Sequence, residues 1–261
     1  MIRKFMYLIF CLNIHLLLSQ QGFVVEYEEV FSAGGSSDVY SGYLVSAGTE
    51  SLFFMPHPNR KFEVTSDGFT EGFDVGSMVS ELVVFTEPKL EECRLLFNPK
   101  KIFMDPAPEI QWEVTHEFGN IAGYIVQQAK GNFRGRTYEV WFDPDLPVSA
   151  GPWKIRGLPG AVLEAREING FVTWKFRRIL LNALVADKLM AVFDDFRKEK
   201  SNYSTLSFRD AVKKENRFLE QLTEKNLAAL PKGTIVLQVD QYREGQLERK
   251  FEWEDSKTSR P

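Results

Sequence analysis

Asp143 and Asp145 flank Pro144 directly after the aromatic pair Trp141-Phe142, a spacing that could do chemistry. Two carboxylates held close together can act as general acid and base when their surroundings push their pKa values apart. That would make the chain a carboxylate-dependent hydrolase. The same spacing also suits an Asx-type turn, in which the side chains satisfy backbone N–H groups at the start of a loop. The turn is the preferred reading, so no residue is assigned as catalytic. A Ca²⁺ site would need further acidic ligands at regular spacing, and none follow. Past the first 19 residues the histidines are His57 and His116, and there is no HExxH or paired CxxC pattern. Neither a GxSxG elbow nor a glycine-rich phosphate loop is present. No metal or cofactor is expected.

The acids open a stretch rich in backbone-shaping residues: Pro144, Pro147, Gly151, Pro152, Gly157, Pro159 and Gly160. Glycine permits positive φ and close backbone approach, whereas proline fixes φ and removes a donor, so the loop is expected to hold one shape. Trp112, Trp141, Trp153 and Trp174, with Phe133 and Tyr138, crowd around it. Most of these rings are expected to fill a sheet interior. The functional alternative is an apolar pocket beneath the loop. The candidate binding residues are Trp141, Phe142, Asp143, Asp145, Trp153, Gly157, Leu158, Pro159 and Gly160. Arg134, Arg136, Lys154 and Arg156 read as a solvated rim.

Trp141-Phe142, Leu146-Pro147, Gly151-Pro152 and Gly157-Leu158-Pro159-Gly160, running into Val162-Leu163-Glu164, resemble the signature of the GLPGLI family. The resemblance extends upstream through Ile110-Gln111-Trp112, Ile121-Ala122-Gly123-Tyr124 and Ala129. It covers about a quarter of the chain. It implies an exported protein of a Gram-negative bacterium, secreted or periplasmic, with no activity assigned to the family. Two departures stand out. Ala161-Val162 replaces the usual Leu-Ile after GLPG, and Val126 stands where many members have cysteine, so no disulfide or metal role falls there.

Residues 1–19 agree with export. Arg3 and Lys4 precede an apolar run from Phe5 to Leu18, the pattern of a cleaved signal peptide rather than a membrane span. Cleavage near Ser19 would leave 30 of the 32 basic residues against 36 acidic ones, a net charge of −6. Nucleic acid and anionic membrane surfaces want a basic protein, so both are disfavoured as partners. The remaining cysteine is Cys93, which excludes an intramolecular disulfide and reads as a buried structural thiol. The functional expectation is a non-enzymatic binding module for an apolar small molecule or an envelope protein.

Strand-length alternating runs punctuated by glycine turns predict an α+β fold, mainly antiparallel β, from residue 20 to 261 as one domain. The options are a curved sheet, a sandwich or an open barrel, with one or two helices late in the chain, at about 182–224. Strands are expected over Val24–Val30, Asp38–Val45, Ser51–Met55 and Met78–Phe85, with loops at Phe31–Ser37 and Asp67–Ser77. Turns are expected at Phe118-Gly119-Asn120 and within Gly131–Gly135. Asn169-Gly170 predicts a type I′ hairpin pairing Ala165 with Trp174 and Glu164 with Lys175. Helical periodicity covers Asn182–Lys200, and Ser207 is the N-cap of a helix burying Phe208, Ala211, Val212, Phe218, Leu219 and Leu222. Thr234–Val239 and Leu247–Trp253 read as a terminal hairpin.

Overall fold

The computed structural model describes residues 22–254 except 49, 74, 87–88, 95–100, 107, 147, 199–203, 232–242 and 244. Residues 1–19, expected to be a signal peptide, lie outside the described residues. The first strands are β1 (Phe23–Ala33), β2 (Ser36–Ala47) and β3 (Glu50–Pro56). The short pieces β4 (Val64–Thr65), β5 (Gly68–Phe69) and α1 (Val75–Met78) come next, then β6 (Val79–Thr86), β7 (Lys89–Arg94) and β8 (Lys101–Asp105). A meander follows of β9 (Trp112–Ile121), β10 (Tyr124–Phe133), β11 (Arg136–Asp143), β12 (Ala161–Glu167) and β13 (Val172–Leu180). The chain then forms α2 (Ala183–Lys198), β14 (Ser204–Ser207) and α3 (Phe208–Ala228). Twelve strands make one sheet in the order β14-β8-β7-β6-β3-β2-β1-β13-β12-β11-β10-β9, antiparallel except for β14 against β8. The sheet stays open, and the α+β reading with helices late in the chain holds.

The sheet curls around its largest core. Val25, Tyr27, Leu44, Phe53 and Val83 from β1, β2, β3 and β6 share one cluster with Val126, Tyr138, Leu163 and Trp174 from β10–β13. The Tyr27 hydroxyl donates across this interior to the Val162 carbonyl (2.5 Å). On the opposite face, Val24, Val45, Leu52 and Phe54 pack against Val185, Leu189 and Phe193 of α2. Alternate residues of β1–β3 therefore serve two cores, as the period of two requires. Asn182 caps α2 by accepting from the Val185 N–H (3.2 Å), and Ser207 caps α3 by accepting from the Asp210 N–H (3.4 Å). Among the described residues, no helix is long and apolar enough to cross a membrane.

Several local expectations give way to tertiary context. β1 and β2 run through the predicted loop to a tight turn at Gly34-Gly35, both at positive φ. The 67–77 stretch buries Phe73 and Val75 rather than standing free. β9 continues through Phe118-Gly119-Asn120, and the chain reverses at Ala122-Gly123 (φ 51° and 96°). Asn120 Oδ1 accepts the Gly123 N–H there (3.0 Å), while Gly119 is small because the Trp141 ring covers it. The hairpin register Ala165–Trp174 holds, but the turn is not type I′. The Gly170 N–H bonds to the Glu167 carbonyl (2.9 Å), so Ile168 and Asn169 are the central residues and only Gly170 has positive φ (80°).

In α3 the burial is narrower than the pattern suggests. Phe208 and Val212 are buried, but Phe218 is 62% exposed and Leu222 42%. Leu247–Trp253 is irregular chain, not a strand: the Arg249 and Lys250 N–H groups both bond the Arg134 carbonyl and the Phe251 N–H bonds the Glu254 carboxylate, and Thr234–Val239 lies outside the described residues. Cys93 sits in β7 opposite Leu82; the position of its thiol falls outside the described residues.

Candidate functional site

The 144–160 loop is pinned at both ends. Asp143 is buried and its Oδ1 accepts the Asp145 N–H (2.9 Å), the Asx turn expected from the spacing. Burial raises the Asp143 pKa, the Asp145 N–H lowers it, and the Asp145 charge raises it again. Leu146 accepts from Ala161 N–H (2.9 Å) and Ala150 from Val162 N–H (2.9 Å), which continues the ladder into the loop. A Cβ on Gly160 would lie 2.1 Å from the Asp143 carbonyl oxygen, so the two strand ends touch backbone to backbone. Gly157 sits at φ 101°, its N–H bonded to Ser149 Oγ (2.9 Å). The Trp112 indole donates to the Arg156 carbonyl (2.8 Å).

This shape turns the predicted binding surface inward. Phe142, Asp143, Trp153, Leu158 and Gly160 are buried, Trp141 is half-buried, and Asp145, Gly157 and Pro159 remain exposed. The space beneath the loop is filled by Ala150, Trp153, Ile155 and Leu158, which join the main core. Trp153 reaches it through a left-handed backbone (φ 51°) and stacks on Trp174 with centroids 6.2 Å apart.

The cationic side chains around the loop do not form a solvated rim. Arg134, Arg136 and Lys154 are all buried, and only Arg156 is half-exposed. Arg134 occupies the β10–β11 turn at φ 43° and makes two parallel bonds to Asp105 of β8, both 2.7 Å. Its remaining donors reach Glu248 and Glu252. Lys154 bonds Asp105 (2.8 Å) and Glu248 (3.0 Å). Burial opposes the guanidinium charge, but Asp105, Glu248 and Glu252 more than offset it and hold the Arg134 pKa above its ordinary value. The Arg134 carbonyl also accepts the Arg249 (2.8 Å) and Lys250 (3.1 Å) N–H groups, and Arg136 donates to the Gln246 carbonyl. Residues 246–252 are thus strapped onto the hairpin tip. Asp105, Glu248 and Glu252 lie far away in sequence and give no local signal. The left-handed Arg134-Gly135 tip is the one clue to a special position.

A cleft of about 230 Å³ opens beside this cluster. Phe31 and Glu81 of the sheet, Phe171 of the hairpin turn, Phe208, Val212 and Glu215 of α3, and the strap residues 245–248 with Phe251 line it. Among the described residues, four buried polar atoms of the core have no hydrogen-bond partner: Glu29 Oε2, Tyr138 Oη, Trp153 Nε1 and Trp174 Nε1. They are neighbours. The Tyr138, Trp153 and Trp174 rings lie within 6.5 Å of one another, centroid to centroid, and Glu29 faces Trp174 across the β1–β13 ladder. Glu29 has its pKa raised by burial first and then by the charge of Glu81, with the Trp174 indole pulling the other way. Burial raises the Tyr138 pKa as well, Arg136 lowers it, and Glu248 adds to the rise. Unbonded buried polar atoms are uncommon and costly, and Glu29 and Trp174 offset part of that cost by facing each other. Among the described residues, no three His, Cys, Asp or Glu side chains gather as a metal site.

No family model matches the chain, nor does any curated protein. Solved structures do. Two crystal forms of the protein PNGF-II are similar, both at 18% identity. The C2 form covers 73% of this chain with a TM-score of 0.50, and the P21 form covers 61% with a TM-score of 0.44. The matched region spans 32% and 28% of those longer chains, so this chain is similar to less than a third of either. The likeness to the C2 form is one of fold.

Proposed function

We propose that this chain is an exported, non-enzymatic binding module of the cell envelope, with its ligand site in the cleft between the curled sheet, α3 and the 245–251 strap. The observation that carries this reading is the cleft itself, whose lining sets the rings of Phe31, Phe171, Phe208 and Phe251 beside the carboxylates of Glu81, Glu215 and Glu248. A site with an apolar wall and a few convergent polar groups is the usual form of a small-molecule pocket. Export rests on the basic residues and apolar run of the first 18 positions and on the GLPGLI resemblance. Hydrolysis by Asp143 and Asp145 is the weaker reading, because Asp143 is committed to the Asp145 N–H and neither acid lines the cleft.

Native mass spectrometry of protein recovered from the periplasm tests it. Gly245 lines the cleft, and a side chain there would meet open space, so Gly245→Trp should fill the cleft at little cost in folding. The wild type should carry a small molecule that Gly245→Trp lacks, with both melting alike. Wild type without any adduct, or an identical adduct on both, refutes the reading. N-terminal sequencing of the same material should begin within a few residues of Gln20.

A further inference from the structure

We propose that a second cleft, open on the outer face of β1 and β2, binds a small organic carboxylate, with the carboxylate held by Arg60 and His57 and its apolar body against Val39 and Phe62. The two clefts share no lining residue.

α2 covers one end of this sheet face, over Val24, Val45 and Phe54. Farther along the same strands the face carries Glu28 opposite Ser41 and Val30 opposite Val39, and the turn from Pro56 to Arg60 stands beside it as a wall. Phe62 packs on Tyr43 and Phe54 of the α2-covered core and also lines the cleft. The space enclosed is about 300 Å³. Its wall is preset. The His57 N–H bonds the Met78 carbonyl (2.7 Å), the Arg60 N–H bonds the His57 carbonyl (2.8 Å), and Pro56 and Pro58 fix φ on either side of His57.

The charges around this cleft do not balance. Its acids, Glu26 and Glu28, are already held: Arg178 bonds Glu26 (2.6 Å), and both Arg177 and Lys175 reach Glu28. Arg60 adds a fourth cation, and among the described residues its guanidinium has no partner. Four cations against two carboxylates leave two positive charges in excess, on a chain whose net charge is −4. His57 adds a directed donor. Its Nδ1 accepts the Asn59 N–H (3.2 Å), so the neutral imidazole carries its proton on Nε2, and that N–H has no acceptor among the described residues. Donors without acceptors beside carboxylates already paired call for an anion, and the planar fork of Arg60 matches a carboxylate. Val39, 60% exposed, supplies the apolar floor for the rest of the molecule. A cation would meet the excess positive charge, and an uncharged molecule would leave Arg60 to water.

Calorimetric titration at neutral pH with 3-phenylpropanoate, its uncharged isostere 3-phenylpropanamide and the cation phenethylammonium tests this assignment. The carboxylate should bind saturably, with the amide at least about tenfold weaker and the cation weaker still. Arg60→Gln removes the unpaired charge, and Val39→Glu sets a competing carboxylate on the floor. Both positions are exposed, so both variants should melt like wild type. Each should cut carboxylate affinity about tenfold or more, and Arg60→Gln should leave the amide unchanged. Gly245→Trp fills the other cleft and should bind the carboxylate like wild type. No binding of the carboxylate, an amide bound as tightly, undiminished carboxylate binding in either variant, or its loss in Gly245→Trp would each overturn the assignment.

Discussion

Arg134 and Asp105 face each other with two parallel 2.7 Å bonds, each side chain no more than 1% exposed. Asp105 belongs to β8, second in the sheet order, and Arg134 joins β10 to β11, the eleventh and tenth strands. The open sheet has curled until its two ends touch through an ion pair instead of a strand ladder. Lys154 and the strap acids complete the junction. Bidentate geometry and full satisfaction of donors are what allow such a pair to sit out of water.

Removing the guanidinium should therefore be far costlier than removing a surface charge. Arg134→Ala leaves Asp105 and Glu248 buried against Lys154 alone, with an expected loss of roughly 3 kcal/mol or more in urea unfolding. Arg134→Lys restores charge but not the fork, and should recover only part of that loss. An Arg134→Ala midpoint within experimental error of wild type would mean the junction does not hold the curl.

Glu29 sets a pH dependence of unusual sign. Its folded pKa is raised, so its contribution is fully present below the unfolded carboxylate value near 4.5 and is lost as pH rises through the folded pKa. Glu29→Gln should accordingly stabilise the protein at neutral pH and flatten the stability profile above about pH 4.5. Glu139 behaves oppositely. Burial acts upward on it, yet Arg166 and Lys130 bring its pKa below the ordinary value, so its contribution is present at neutral pH and disappears on acidification. Urea midpoints of Glu29→Gln and wild type across pH 4–8 check the sign; a variant that loses stability at pH 7 contradicts it.

The loop glycines should separate by mechanism. Gly160→Ala would drive a methyl to 2.1 Å from the Asp143 carbonyl oxygen, which backbone alone can relieve, at a cost of about 3 kcal/mol or more. Gly157→Ala meets no such clash but must hold φ near 101°, at roughly 1–3 kcal/mol. Thermal melts should rank Gly160→Ala below Gly157→Ala and both below wild type. Equal melting of all three would mean the loop relaxes freely.

At the β12–β13 turn, positive φ falls on Gly170 alone. Gly170→Val should cost roughly 1–3 kcal/mol. Asn169→Val should lose only its side-chain bond to Glu167 Oε1 (2.8 Å), about 1 kcal/mol, since its own N–H still reaches Oε2 (2.9 Å). Chemical denaturation of the two single variants distinguishes this turn from a type I′ turn, which would penalise both alike.

Local sequence carries most of the architecture. Period-two alternation is enough for β1, β2, β3, β6 and the β12–β13 register, because a half-buried strand must keep its apolar residues on one face. Helical spacing and the caps Asn182 and Ser207 are enough for α2 and the start of α3. The Asx turn at Asp143 is legible for the same reason, since donor and acceptor lie two residues apart. The site is not legible in this way. Whether Arg134 is a rim residue or the centre of a buried cluster depends on Asp105, Glu248 and Glu252, which lie 29, 114 and 118 residues away. Glu29 reads as one polar residue in an alternating strand; only the tertiary structure buries it opposite Trp174 and within reach of the Glu81 charge. Side-chain pairing across such separations is set by how far the sheet twists and closes, a property of the whole assembly of strands and of no single stretch of chain.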